Sequence, residues 1–131
     1  MNKLSIIIPC YNSSQALETN LPYLIDFCST LNIESEIIII DDGSLNSDDT
    51  AKIALTNCCD FYGYTNNKGK GNAVRYGISK AKGDIILFTD ADIPFEGDAI
   101  LKAIHYLIIK EYDLVIGDRG LRRIITRYDY T

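Results

Sequence analysis

Two carboxylates separated by one small residue, Asp90-Ala91-Asp92, close an apolar run that starts at Asp84-Ile85-Ile86-Leu87-Phe88. In an extended chain residues i and i+2 face the same side, so this spacing lets both aspartates converge on one cation while Ala91 faces away. Side-by-side carboxylates repel. A hard, oxygen-preferring divalent ion, Mg²⁺ or Mn²⁺, relieves that repulsion when substrate phosphates complete its shell. The competing reading is a turn, since aspartate is common where strands end. A second stretch, Lys68-Gly69-Lys70-Gly71, combines glycines that allow close backbone approach with lysines whose charge suits a phosphate or diphosphate. Two further stretches, Pro9-Cys10-Tyr11-Asn12 and Asp41-Asp42-Gly43-Ser44, have plain alternatives: an Asx-turn for Asp42 with Gly43, and simple packing for Tyr11.

The elements that must position these residues alternate. Leu4 to Ile8 reads as a buried strand stopped by Pro9, and Glu36 to Ile40, with four consecutive isoleucines, as a central strand. Phe61 to Thr65 is a short third strand, and the Asp84 run, preceded by Gly83, a fourth strand buried on both faces. Helical spacing predicts helices over Asn20 to Leu31, with Pro22 in the first turn, over Asp48 to Asn57 behind a serine cap at Ser47, and over Asn72 to Ala81, closed by Gly83. A long amphipathic helix over Glu96 to Lys110 and a short strand over Asp113 to Ile116 follow. This order predicts an α/β fold, a mainly parallel sheet with helices on both faces. All four chemically unusual stretches follow a strand, which puts them at the carboxyl edge, where open α/β sheets bind ligands.

A chain of 131 residues with 47% hydrophobic content supports one domain with a real core. Its net charge of −5 argues against a nucleic-acid partner, which needs a broad basic surface. Cys10, Cys28, Cys58 and Cys59 show no C-x-x-C spacing and read as thiols of a reducing compartment. Neither a signal peptide nor a membrane-spanning run is expected, which suits a cytoplasmic chain. G-x-x-x-x-G-K-[ST] does not occur, and no G-x-G-x-x-G follows the first strand, which weighs against a Walker-type ATPase or a dinucleotide oxidoreductase. The first loop also lacks the G-x-G-T-R of sugar-phosphate nucleotidyltransferases. At the end of the chain Leu121, Ile124, Ile125 and Tyr128 fall at helical spacing, with Arg122, Arg123 and Arg127 between them. That predicts a basic amphipathic helix, which either lies at a membrane surface or caps the core.

Ser5-Ile6-Ile7-Ile8-Pro9-Cys10-Tyr11-Asn12, Ile39-Ile40-Asp41-Asp42-Gly43-Ser44, Asn67-Lys68-Gly69-Lys70-Gly71-Asn72-Ala73-Val74-Arg75 and Thr89-Asp90-Ala91-Asp92 together resemble the successive motifs of inverting nucleotide-sugar glycosyltransferases with the GT-A fold. The lysine-glycine loop with Ala73-Val74-Arg75 is most similar to the branch that transfers glucose or mannose to polyprenyl (dolichyl) phosphate. The resemblance covers Leu4 to Arg119 and implies a nucleotide-sugar-binding GT-A domain over 1–119 with the basic tail at 120–131. It implies that Pro9, Tyr11 and Asp42 hold the nucleotide, Asp42 accepting a hydrogen bond from the base, while Asp41 supports the turn. Gly69, Lys70, Gly71 and Arg75 would line the nucleotide pocket, Asp90 would hold ribose or metal, Asp92 would be the principal metal ligand, and Arg119 would pair with a phosphate. The implied partners are a UDP- or GDP-linked sugar and a lipid-phosphate or glycan acceptor, met at the membrane surface. Ser13 and Ser14 depart from the acidic residues of near relatives, and Pro94 from an extra metal ligand. Family members also continue well beyond this length, so the C-terminal part of the usual domain, with the acceptor site and any general base, is not expected here. The alternative is a non-catalytic or truncated nucleotide-sugar-binding module.

Overall fold

The computed structural model describes residues 2–45, 48–93, 97–118 and 123–126. It divides into two compact units, Met1–Ile93 and Pro94–Thr131. The first holds β1 (Lys3–Cys10), α1 (Ser14–Ser29), β2 (Glu34–Asp42), α2 (Thr50–Thr56), β3 (Asp60–Tyr64), α3 (Lys70–Lys80) and β4 (Ile85–Phe88). Its sheet is parallel throughout, in the order β3-β2-β1-β4, with Ile7 opposite Ile38 and Phe88. Right-handed crossovers carry the chain from β1 through β2 to β3 on one face, and back from β3 to β4 on the other. Accordingly α3 packs on Ile7, Ile38 and Ile40 through Ala73, flanked by Tyr62, Tyr64 and Tyr76. The opposite face, with Leu4, Ile6, Ile8 and Ile39, is fully buried and falls to α1 and α2, whose Leu17, Leu21, Leu24 and Ala54 are buried as well. The expected α/β class, with helices on both faces, is what the chain forms.

Gly77 lies inside α3 because that helix crosses the sheet closely. A Cβ there would stand 2.5 Å from Ile7 Cγ2, so only glycine fits without the helix moving outward.

The first helix starts six residues earlier than its apolar spacing predicts and carries Pro22 in its interior. A proline there costs about 3 kcal/mol through a lost backbone bond and a ring clash. Starting at Ser14 brings Leu17 into the core, and burying one leucine contributes about 1.5–3 kcal/mol. The proline faces solvent, and Thr19 Oγ1 and Asn20 Nδ2 donate to the carbonyls of Gln15 and Ala16 one turn below. Helix α2 is shorter than expected. Ser47 lies outside the described residues, and Asp48 accepts from the Thr50 amide at 2.9 Å and from the Thr50 hydroxyl. Gly83 does not cap α3. Its amide donates to Ser5 Oγ at 2.8 Å, and Ser5 Oγ donates to Glu36 Oε1, which also accepts from the Lys82 amide. This relay fixes the entry of β4 beside β1.

Strand β4 is not buried on both faces as its apolar run suggests. It closes the end of the sheet, and Ile86 and Phe88 are 36% and 51% exposed.

The second unit contains α4 (Gly97–Ile108) and an antiparallel pair, β5 (Val115–Asp118) with β6 (Arg123–Thr126). The amphipathic helix expected over Leu121 to Tyr128 is therefore strand wherever it is described. Cross-strand pairing of Ile116 with Ile125 and of Gly117 with Ile124 satisfies the backbone that a helix would have satisfied internally. Leu121, Arg122, Arg127 and Tyr128 lie outside the described residues, as does Pro94.

Candidate functional site

The carboxyl ends of β1, β2 and β3 meet at a cleft of about 340 Å³ lined by Pro9, Tyr11, Asp42, Asn67, Gly69 and Lys70, with Cys10 and Ser13. Each strand end is tied to the next. Asn12 takes a left-handed φ of 50° and donates its amide to Ser44 Oγ at 2.9 Å, and its own Oδ1 accepts from the Leu45 amide. Asp41 Oδ1 accepts from the Ser44 amide at 3.0 Å, closing the turn after β2. Gly43 sits at φ +71°, where a Cβ would lie 2.3 Å from the Asn67 amide nitrogen. Both its conformation and the crossing of the 66–67 backbone over it require glycine there.

Asp42 is the hub of this arrangement. Its carboxylate is 3% exposed. Oδ1 accepts from Tyr64 Oη at 2.5 Å and the Lys68 amide at 2.9 Å, while Oδ2 accepts from Asn67 Nδ2 and the Gly69 amide, each at 3.0 Å. A carboxylate offers about four acceptor positions, so all are filled by the end of β3 and the segment that follows it. The Asx-turn with Gly43 is not what forms; Asp42 instead cradles the Asn67–Gly69 segment. Burial, followed by the bond to Asp42, raises the Tyr64 phenol above its ordinary pKa and keeps it a donor.

The paired aspartates are set by a turn and not by an extended strand. β4 ends at Phe88, and the Ile93 amide closes back on the Asp90 carbonyl at 2.9 Å, with Ile93 at φ 44°. Alternation therefore does not aim Asp90 and Asp92 to one side. Ala91 is buried, Asp92 is exposed, and Asp90 pairs with Lys70 Nζ. Next to them Thr89 Oγ1 is buried with no hydrogen-bond partner among the described residues. No group of three or more metal-ligating side chains occurs among the described residues. The orphaned Thr89 hydroxyl leaves an unsatisfied polar group beside the two carboxylates at this turn.

Of the residues singled out from sequence, Pro9, Tyr11, Asp42, Gly69 and Lys70 share one cleft, Asp41 supports its floor, and Lys70 links it to Asp90. Gly71 lies in the first turn of α3. Arg75 lines a different cleft, and Arg119 lies outside the described residues. Sequence reasoning missed Tyr64, Asn67 and the Asn12–Ser44 tie. Only the asparagines carried a signal, as residues that tolerate left-handed turns. Cys10 lines the cleft, and burial, with Asp41 and Asp48 nearby, pushes its thiol up to about 12, which keeps it protonated at neutral pH.

The model of the family described as glycosyl transferase family 2 matches residues 5–130. The chain belongs to that family. Among its relatives, an undecaprenyl-phosphate 4-deoxy-4-formamido-L-arabinose transferase of Proteus mirabilis is 35% identical over 99 residues, covering 71% of this chain and 30% of the relative. The dolichyl-phosphate beta-glucosyltransferase of Mus musculus is 33% identical over 103 residues, covering 69% and 31%. The chain thus spans under a third of either family member. Among solved structures, S. aureus TarS 1-349 superposes with a TM-score of 0.73 at 23% identity, covering 92% of this chain and 38% of that one. A Pyrobaculum calidifontis mannosyltransferase solved with GDP-Man and Mn²⁺ gives 0.70 at 22%, covering 82% and 32%. These likenesses establish the GT-A type of fold for this member of glycosyl transferase family 2.

Proposed function

We propose that this chain is the donor-binding portion of a metal-dependent glycosyltransferase that takes a UDP- or GDP-linked sugar and transfers the sugar, with inversion, to polyprenyl phosphate. The observation that carries the reading is the cleft at the carboxyl ends of β1, β2 and β3, bordered by Tyr11 and Lys70 and linked through Lys70 to the Asp90–Asp92 turn.

Half-exposed Tyr11 offers a face for the base. Lys70 and the first amides of α3 supply positive charge for the diphosphate. Asp90 and Asp92 would hold Mg²⁺ or Mn²⁺, which when bound offsets the charge growing on the leaving diphosphate. In the transfer, an acceptor phosphate oxygen bonds to the anomeric carbon. The carbon–oxygen bond to the nucleoside diphosphate breaks, and the diphosphate leaves with the electron pair. A phosphate acceptor is already anionic at neutral pH, so this chemistry does not demand a carboxylate base. Among the described residues no helix is long and apolar enough to cross a membrane.

A second reading is a nucleotide-sugar-binding module without transfer, since the cleft and the Asp90–Asp92 turn account for donor binding alone. Titration with UDP and GDP, with Mn²⁺ or with EDTA, tests the shared part, and Asp92→Asn is expected to weaken the Mn²⁺-dependent component. Equal affinity with and without EDTA would overturn the metal assignment. Sugar transfer to polyprenyl phosphate by this chain would separate the enzyme from the module.

A further inference from the structure

A second cleft, of about 400 Å³, opens on the other side of the Asn67–Gly69 segment, between β3 and α3. Its lining shares no residue with the first: Lys68 faces it, while Gly69 and Lys70 face the other. Among its lining residues are Tyr64, Lys68, Asn72, Arg75 and Tyr76, and no carboxylate is among them. In a chain of net charge −5 this lining carries two positive side chains, Lys68 and Arg75, and no carboxylate.

Arg75 makes no hydrogen bond or ion pair with another described residue. Lys68 Nζ stands 5.1 Å from the Tyr64 ring centroid, a stacking that positions its ammonium without neutralising it. Lys80 extends the same charge, 5.7 Å over Tyr76. The tyrosines at 64 and 76 meet edge to face, 6.0 Å apart, and form a firm wall. Asn72 spends one amide donor on Tyr64 Oη, which leaves its second for a ligand. A guanidinium, an ammonium and an amide around an aromatic wall suit a group with several anionic oxygens.

We propose that this cleft binds a phosphate-bearing ligand, as a site separate from the cleft of Tyr11 and Lys70. The phosphate has two possible sources, a soluble phosphate compound or a lipid headgroup, and the test distinguishes them. The full chain, isotope-labelled, is titrated with inorganic pyrophosphate while backbone amides are followed by NMR. In parallel it is sedimented with phosphatidylcholine vesicles containing phosphatidylglycerol. Pyrophosphate is expected to shift the amides of Asn72, Tyr76 and Ser79. Arg75→Gln, at an exposed position, should weaken that effect by about tenfold, as expected for losing a charge-assisted contact, and Tyr11→Ala should leave it in place. Shifts without vesicle binding assign the site to a soluble phosphate. Arg75-dependent sedimentation without shifts assigns it to a headgroup. Shifts confined to Gly69 and Lys70, an Arg75→Gln variant that behaves as the parent in both assays, or no response in either assay would overturn the proposal. Because the Tyr11→Ala arm reports on the other cleft, failure here and failure of the donor reading remain distinguishable.

Discussion

Asp42 makes the sharpest test, because two roles predict opposite outcomes. If it were mainly the acceptor for a nucleotide base, Asp42→Asn would keep the fold and lose ligand. Its four bonds point the other way. Asparagine keeps the volume but presents an NH₂ group where one oxygen stood, so one pair of donors, either Tyr64 Oη with the Lys68 amide or Asn67 Nδ2 with the Gly69 amide, meets another donor. A hydrogen bond to a charged group contributes about 1.5–3 kcal/mol. Here Lys68 is exposed and its amide can turn to water, and Tyr64 Oη still accepts from Asn72, so about 3 kcal/mol for the whole cradle is the expected loss. For a unit the size of Met1–Ile93 that corresponds to a fall of roughly 12–24 °C in Tm. Thermal and urea denaturation measure it, and hydrogen exchange reads the Lys68 and Gly69 amides directly. A variant with parental Tm and parental protection at both amides, but with nucleotide binding lost, would refute the cradle and restore the base-acceptor role.

Two further outcomes follow from the same geometry. Lys70→Met should raise the affinity of the unliganded chain for Mn²⁺, because the ammonium paired with Asp90 is a cation that an incoming ion must displace. The pair is partly exposed, so the gain is at most about 1 kcal/mol, or roughly fivefold, and weaker Mn²⁺ binding by titration would contradict it. For Glu36, burial pushes the carboxyl up, but bonds from Ser5 and the Lys82 amide, with Lys3 and Lys82 nearby, outweigh burial and hold it below the usual 4.5. A depressed carboxylate stabilises the fold above its unfolded pKa and loses that contribution as pH falls through the folded value. The Tm gap between the parent and Glu36→Gln should therefore be widest near neutral pH and close in acid below that usual value. A gap that widens in acid would reject the relay through Ser5.

Much of the fold was legible because burial on two faces leaves a strong mark. The isoleucine runs of β1 and β2 are the two inner strands, and the loops after β1, β2 and β3 do gather at one edge. What misled was local. The Asp84–Asp92 run looked like one long strand, but its strand part stops at Phe88, and β4 is the end strand of the four-stranded sheet. Pro22 suggested a helix start, yet α1 begins at Ser14, buries Leu17 and leaves the proline on its exposed face. The isoleucines at 124 and 125 fitted a helical stripe equally well, and only the partner strand β5, distant from any periodicity window, decides for β6. Arg75 followed the glycine loop in sequence, but it lies beyond the first turn of α3, and its side chain opens on the other cleft.

If the proposed cation binds at the carboxyl edge, the distribution of charge there singles out one aspartate for it. Asp41 is engaged by the Ser44 amide, Asp42 by four donors, and Asp90 by Lys70. Asp92 is exposed, and among the described residues it has no hydrogen bond or ion pair. Carboxylates already compensated by their own loops contribute rigidity, and drawing any of them onto a metal means breaking bonds that hold the cleft together. Asp92 can be recruited without that loss, whereas Asp90 would have to give up its ion pair with Lys70. The Lys70 ammonium released by that exchange stays beside the cleft, where it can meet the diphosphate. Cation and nucleotide should therefore bind with positive coupling, each strengthening the other.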